Sequence, residues 1–171
     1  MHNLWVRLNA VIFFGLTVLL AMAWMCAFST YLHKGEPVVK KLKLNELKSL
    51  KTHGGMDRAL LTIDLEADLT PAFHWNLKQL FVFVVAEYRT KANVLNQVIL
   101  WDDIIQEESK AKIKLKNKMV KYALIDQGKE LRNNEIQLRL MWDHMPLTGG
   151  LYSAAKNAST FRLPNEYTTT S

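Results

Sequence analysis

The sequence predicts an all-β fold hung from one amino-terminal transmembrane helix: a single span followed by one antiparallel β-sandwich domain. Three observations predict it. Ala10 to Leu32 form 23 consecutive positions without a charge. The remainder repeatedly alternates apolar and polar side chains, which is the period of a half-buried strand. Turn residues recur between those stretches at His53-Gly54-Gly55, Thr70-Pro71, Pro146 with Gly149-Gly150, and Pro164, a spacing that suits a sandwich of short strands. The expected organisation is a short tail at 1–9, a helix at 10–32 and one soluble domain at 33–171, since 171 residues less a span leave one core of ordinary size.

The apolar run comes first. A helix of that length reaches roughly 35 Å against a hydrocarbon core of about 30 Å, so it spans with some tilt. A secretory signal peptide has similar parts: Arg7 supplies a basic start and Ala21-Met22-Ala23 a small-x-small cleavage pattern. The run continues through Trp24, Cys26 and Phe28 to Tyr31 and Leu32, far past a typical cleavable segment, which favours a retained anchor. Charge leaves the orientation open. Lys34, Lys40, Lys41, Lys43, Lys48 and Lys51 after the span outnumber Arg7 before it and by themselves would hold the domain in the cytosol. Asn157-Ala158-Ser159, the chain's single Asn-x-Ser/Thr triplet, can be glycosylated only in a secretory lumen.

Within the domain, Lys40 to Leu50 carries two patterns at once. Leu42 and Leu44 alternate as in a strand, whereas Leu44, Leu47 and Leu50 step as in a helix; an edge strand is the reading adopted. Leu61 to Asp68 and Ile136 to Asp143 alternate and read as strands facing a core on one side. Leu80 to Ala86 is continuously apolar, β-branched and aromatic, and suits a central strand covered on both faces. Further strands are expected around Val98 to Trp101 and from Val120 to Asp126, the latter closed by Gly128, Asn133 and Asn134. Thr168 to Ser171 have nothing to bury and are expected to fray.

The net charge of +6 raises the question of nucleic acid, most sharply at Lys110 to Lys118. There five lysines alternate with Ala111, Ile113 and Leu115 on the other face. No aromatic residue interleaves them for base stacking, so the segment reads as a lysine-guarded edge strand and no nucleic-acid partner is expected.

Chemistry is sparse. There is no Gly-x-Ser-x-Gly elbow, His-Glu-x-x-His helix or phosphate loop, so no catalytic, cofactor-binding or metal-binding residues are assigned. His74 and His144, beside Trp75 and Trp142, read as packing residues. Ser109, Ser153 and Ser159 have no sequence signal that pairs them with a histidine. Asp102-Asp103 and Glu107-Glu108 are adjacent and would point to opposite strand faces, against a shared acid–base site. Cys26, the only cysteine, lies in the span and excludes an intrachain disulfide.

One stretch is more particular. Trp75-Asn76 with Lys78-Gln79, then Glu87-Tyr88, then Leu95-Asn96-Gln97-Val98 and Leu100-Trp101-Asp102 closely resemble subunit 3 of the eukaryotic signal peptidase complex. The likeness extends to the tail and anchor, Leu61 to Asp68, Asp126-Gln127-Gly128, and Trp142 with Met145-Pro146, and thins after Gly150. It implies a non-catalytic, single-pass type II protein of the endoplasmic reticulum membrane with a lumenal sandwich. Its implied partners are a separate catalytic subunit and other small membrane subunits, with nascent signal peptides met only indirectly. It places the domain in the lumen against the lysine count. Some relatives carry a glycosylation acceptor just before the strand around Trp142; Asn134-Glu135-Ile136 is not one, so Asn157 is an independent glycosylation candidate. Trp75, Asn76, Lys78, Gln79, Glu87, Tyr88, Asn96, Gln97, Trp101 and Asp102 are the core or interface candidates. Asn76, Asn96 and Gln97 are expected to close turns or satisfy backbone donors, and Trp75 and Trp101 to fill the core. The other function class is a membrane-tethered binding module outside any protease complex.

Overall fold

A computed structural model describes residues 3–33 and 35–168. The chain opens with α1 (Leu4–Thr30), capped by the Asn3 side chain on the Trp5 N–H. Its 27 residues extend about 40 Å. The helix begins six residues before the uncharged run and takes in Arg7. None of its residues is buried against the rest of the chain, and it is long and apolar enough to cross a membrane. Ser29 and Thr30 turn their hydroxyls back onto the Cys26 and Ala27 carbonyls, at 2.8 and 2.7 Å, where the helix stops.

Two four-stranded antiparallel sheets follow. The first pairs β1 (Val38–His53), β2 (Met56–Asp68) and β5 (Lys112–Met119) in that order, with β6 (Leu124–Asp126) continuing beside β2. The second has the order β4 (Asn96–Ile105), β3 (Leu77–Tyr88), β7 (Glu135–Pro146) and β8 (Tyr152–Arg162). Leu61, Ile63 and Leu65 of β2 face Leu80, Val82, Val84, Leu138 and Leu140 of the second sheet in one continuous core, joined by Leu100, Trp101 and Trp142. Truncating a leucine in it to alanine is expected to cost about 2–5 kcal/mol.

The double pattern of Lys40 to Leu50 has a physical origin. β1 is an edge strand, as expected, and its register against β2 slips between Val39 and Lys41, Leu44 and Glu46, and Leu47 and Ser49. Each slip inserts a residue, so successive inward leucines stand three apart without any helix. The turn His53-Gly54-Gly55-Met56 then joins β1 to β2, and both glycines have positive φ, at 60° and 83°, as a two-residue hairpin demands.

Four expectations need correction. β3 is central, but its outer face is covered only near its end, at Val85 and Glu87; Phe81 and Phe83 stack at 5.1 Å on that face and stay partly exposed, because no strand or helix among the described residues lies over them. The lysine-rich run is an edge strand only from Lys112, Lys110 being part of a short 3-10 turn (Glu108–Lys110), and Asn117 interrupts the alternation with φ 49° while its N–H donates to Asp64. Val120 to Asp126 yields only the three-residue β6. Thr168 is tied down: its N–H and hydroxyl bond to the main chain of Leu50, the latter at 2.9 and 3.0 Å, because β1 exposes those groups at its free edge. Residues 169–171 of the expected frayed end, and Lys34 of the lysine count, lie outside the described residues.

Candidate functional site

Most of the polar and aromatic residues singled out from the sequence gather at opposite ends of the sandwich, separated by the length of β3, roughly 35 Å, while Trp101 and Asp102 lie beside its middle, paired with Val84 and Phe83. The near end adjoins α1. There His33, three residues beyond the helix, contacts the Pro71 carbonyl through Nε2 at 2.8 Å. Gly35 passes so close to the same carbonyl that any Cβ would overlap it, which explains a glycine at this point of chain entry.

Asn76 organises this end. It is fully buried in the turn before β3; its Nδ2 donates to the Thr148 carbonyl at 2.8 Å and its Oδ1 accepts from the Thr148 N–H at 3.1 Å. The Leu147 N–H adds a bond to the Asn76 carbonyl at 2.7 Å. The turn before β3 and the loop from β7 to β8 are thereby fixed together. Trp75, expected in the core, instead stands exposed beside this clamp, since Asn76 takes the inward position. Gln79 donates to the Met145 sulfur across β3 and β7, and Lys78 points outward.

A cleft of about 500 Å³ opens next to the helix exit, lined by His33, Glu36, Trp142, His144 and Tyr152 among others. His144 is buried and stacks on Tyr152 with ring centroids 4.1 Å apart; burial above all brings its pKa down to about 4. His74, whose ring lies 5.1 Å from that of His33, is also shifted down, by burial first and by the neighbouring imidazole second. Its Nδ1 accepts from the Asn76 N–H, which leaves the neutral ring's proton on Nε2. Both histidines are packing residues, as expected. No group of three or more metal-ligating side chains occurs among the described residues.

The far end is a set of loop locks. The Tyr88 hydroxyl donates to Asp126 at 3.0 Å, and burial followed by that carboxylate raises its pKa. Asp126 also accepts from the N–H groups of Gly128 and Glu130. Asp57 accepts from the Tyr167 hydroxyl at 2.8 Å and from the Leu131 N–H. Asn96 closes the turn after β3 by donating to the Tyr88 carbonyl at 3.3 Å. Gln97 departs from its expected role: it serves a side chain, donating to Glu87, which also takes Arg139 at 2.7 Å on the outer face of the second sheet. Trp101 is in the core, with Lys121 above its ring and bonded to the Asp102 carbonyl at 2.6 Å.

The residues named from sequence are therefore spread over the two ends and, with Trp101 and Asp102, the middle of the sandwich, and form no one reactive centre. Asp57, Tyr167 and His33 escaped sequence reading because each acts through a partner at least 38 positions away, and no local pattern announces such a pair. Ser109 donates to Glu107 and Ser159 to the Leu42 carbonyl, so neither is paired with a histidine. Asn157 is exposed midway along β8, where the register slips between Gln137 and Arg139.

A model of the family described as signal peptidase subunit matches residues 1–166. The chain belongs to the signal peptidase subunit family. Signal peptidase complex subunit 3 of Dictyostelium discoideum is 40% identical over 167 residues, covering 98% of this chain and 97% of that protein. The Drosophila melanogaster protein of the same name is 35% identical over 179 residues, covering 100% and 99%. The Homo sapiens one is 36% identical over 155 residues, covering 87% and 86%. As a signal peptidase subunit family member, the chain matches the family model through both ends of the sandwich, Asp57 included, and the model stops one residue before its partner Tyr167.

Proposed function

We propose that this chain is a non-catalytic subunit of a signal peptidase complex, anchored in the endoplasmic reticulum membrane by α1, with its amino terminus in the cytosol and its sandwich in the lumen. The observation that carries the reading is the family match over residues 1–166, which takes in the apolar helix and the whole two-sheet domain. The serines bonded to a carboxylate and a carbonyl fit a division of labour in which another subunit supplies the nucleophile.

In this reading the sandwich supports the catalytic subunit near the membrane surface through its edges and loops, and the helix keeps it beside the site where signal peptides emerge. The proposed organisation is a cytosolic tail at 1–9, a span at 10–32 and a lumenal sandwich domain at 33–171; α1 at Leu4–Thr30 and strands that begin at Val38 support it. The test is affinity purification of the intact chain in mild detergent with a signal-peptide cleavage assay. Recovery of a cleaving complex is expected, and loss of both partners and cleavage when residues 34–171 are deleted. A chain that purifies alone is the binding-module alternative; a deletion that leaves the complex assembled and active refutes the supporting role.

A further inference from the structure

We propose that the end of the sandwich next to α1 is seated in the lipid interface itself, with the loop from β7 to β8 and Trp75 lodged at the boundary of headgroups and acyl chains. The inference rests on the reading of α1 as a membrane span and goes beyond it: the domain touches lipid, in addition to being tethered to it. Depth is set by a contact. The position a Cβ would take on Gly149 lies 3.3 Å from Ala27 Cβ, so the loop tip packs against the helix before its end. Ala27 precedes Thr30 by three residues, placing the tip about 4.5 Å inside the helix terminus along its axis. Whatever surrounds the last turn of α1 also surrounds this loop.

The chemistry of the loop suits that depth. Residues 146–155 contain no charge. Leu147 and Leu151, on either side of the Gly149 contact, are 66% and 71% exposed, and Trp75 is 67% exposed. What sets these side chains apart is that the Asn76–Thr148 bonds gather them at one end, and a contiguous exposed apolar patch of that kind marks an interaction surface. Tryptophan prefers the interfacial zone, where its ring is in the apolar layer and its N–H among headgroups. The Asn76 clamp bonds the two turns to each other, so Trp75 and Leu147 are presented together with little conformational freedom left to lose. Lipid is favoured over a protein partner because this patch is continuous with the lateral surface of α1, no residue of which is fully buried and which the chain covers only in part near Ala27.

The test uses the full chain with Cys26→Ala, carrying single cysteines labelled with an environment-sensitive fluorophore, in phosphatidylcholine vesicles doped with nitroxide lipids. It is run alone and with the complex subunits co-expressed. Labels at Leu147→Cys and Leu151→Cys should be quenched several-fold by shallow, headgroup-level nitroxides and protected from aqueous iodide. A label at Leu19→Cys should respond to deep nitroxides, and one at Lys129→Cys, at the far end, to iodide only. Loop labels open to iodide, with Leu19 still quenched, overturn the interfacial seat and leave the span intact. An unquenched Leu19 label overturns the span instead. Loop labels shielded from iodide and nitroxide alike overturn the seat in favour of a protein neighbour.

Discussion

Asn76 and Thr148, 72 positions apart, exchange a reciprocal pair of hydrogen bonds, side-chain amide to main-chain carbonyl and main-chain N–H to side-chain carbonyl. No other residue type offers a donor and an acceptor at that reach and in that plane except glutamine, which is one carbon too long. Replacing Asn76 with alanine strands both backbone groups of Thr148 and should destabilise the domain by about 2–4 kcal/mol, measured by urea unfolding of the full chain in detergent. Asn76→Asp keeps the acceptor but sets a carboxylate oxygen against the Thr148 carbonyl, and should recover little. Unchanged stability in Asn76→Ala would mean the clamp is incidental.

Acid should weaken the same end. The unfolded His144 imidazole takes up a proton near pH 6.5, whereas the folded one resists until about 4, chiefly because it is buried. Between those values the folded state binds fewer protons. Its stabilising contribution is therefore complete above pH 6.5 and declines as pH falls towards 4. His74, shifted in the same direction, adds to the slope. Unfolding midpoints across pH 7 to 4 should fall, and His144→Phe, which keeps the stacking on Tyr152, should flatten the decline.

A glycan at Asn157 is predicted for the lumenal orientation. Asparagine 157 is exposed, whereas the Ser159 hydroxyl of the same triplet is engaged with the Leu42 carbonyl at 2.7 Å, joining the two sheets. The two substitutions should thus separate: Asn157→Gln loses the glycan alone, while Ser159→Ala loses the glycan and an inter-sheet bond worth about 1 kcal/mol. Endoglycosidase sensitivity of the chain expressed in cells reads the first, thermal unfolding the second.

The span should escape cleavage because Ala23 is seven residues short of the helix end, about 10 Å from it along the axis. Met25→Lys with Phe28→Lys shortens the apolar run and should bring Ala21-Met22-Ala23 to the surface, giving a chain whose intact mass corresponds to a start at Trp24. A double variant that remains whole would show that depth is not what protects the site.

Legibility followed the location of each cause. Strands whose apolar side chains all face the core, such as Leu61 to Asp68 and Ile136 to Asp143, were plain because the core imposes a period of two on side-chain polarity, even where the outward Thr62 and Asp64 are themselves buried. β8 went unread: an edge strand made of Ser153, Ala154, Ala155, Ser159 and Thr160 has little to bury, so its pairing to β7 leaves almost no hydrophobic trace. β1 was legible but blurred, since its bulges are set by pairing to β2, which local sequence does not display. Trp75 was misplaced because a large aromatic side chain signals burial without saying in what medium. The chain's entry point, built from Gly35, Pro71 and His33, depends on close approach alone and has no pattern to read.

The bonds from Leu50 to Thr168 join positions 118 apart, and Ser159 reaches Leu42 across 117. The first of the described strands is thus secured by residues made more than a hundred positions after it. At roughly 5–20 residues per second, β1 waits about 6–24 s for those partners, its edge groups open and the opposing sheet incomplete. Such non-local pairing also slows folding once all strands are present. For a domain made beside a membrane, that interval is when an unguarded edge would pair with another nascent chain, and the lysines strewn along β1 are the charges that discourage it.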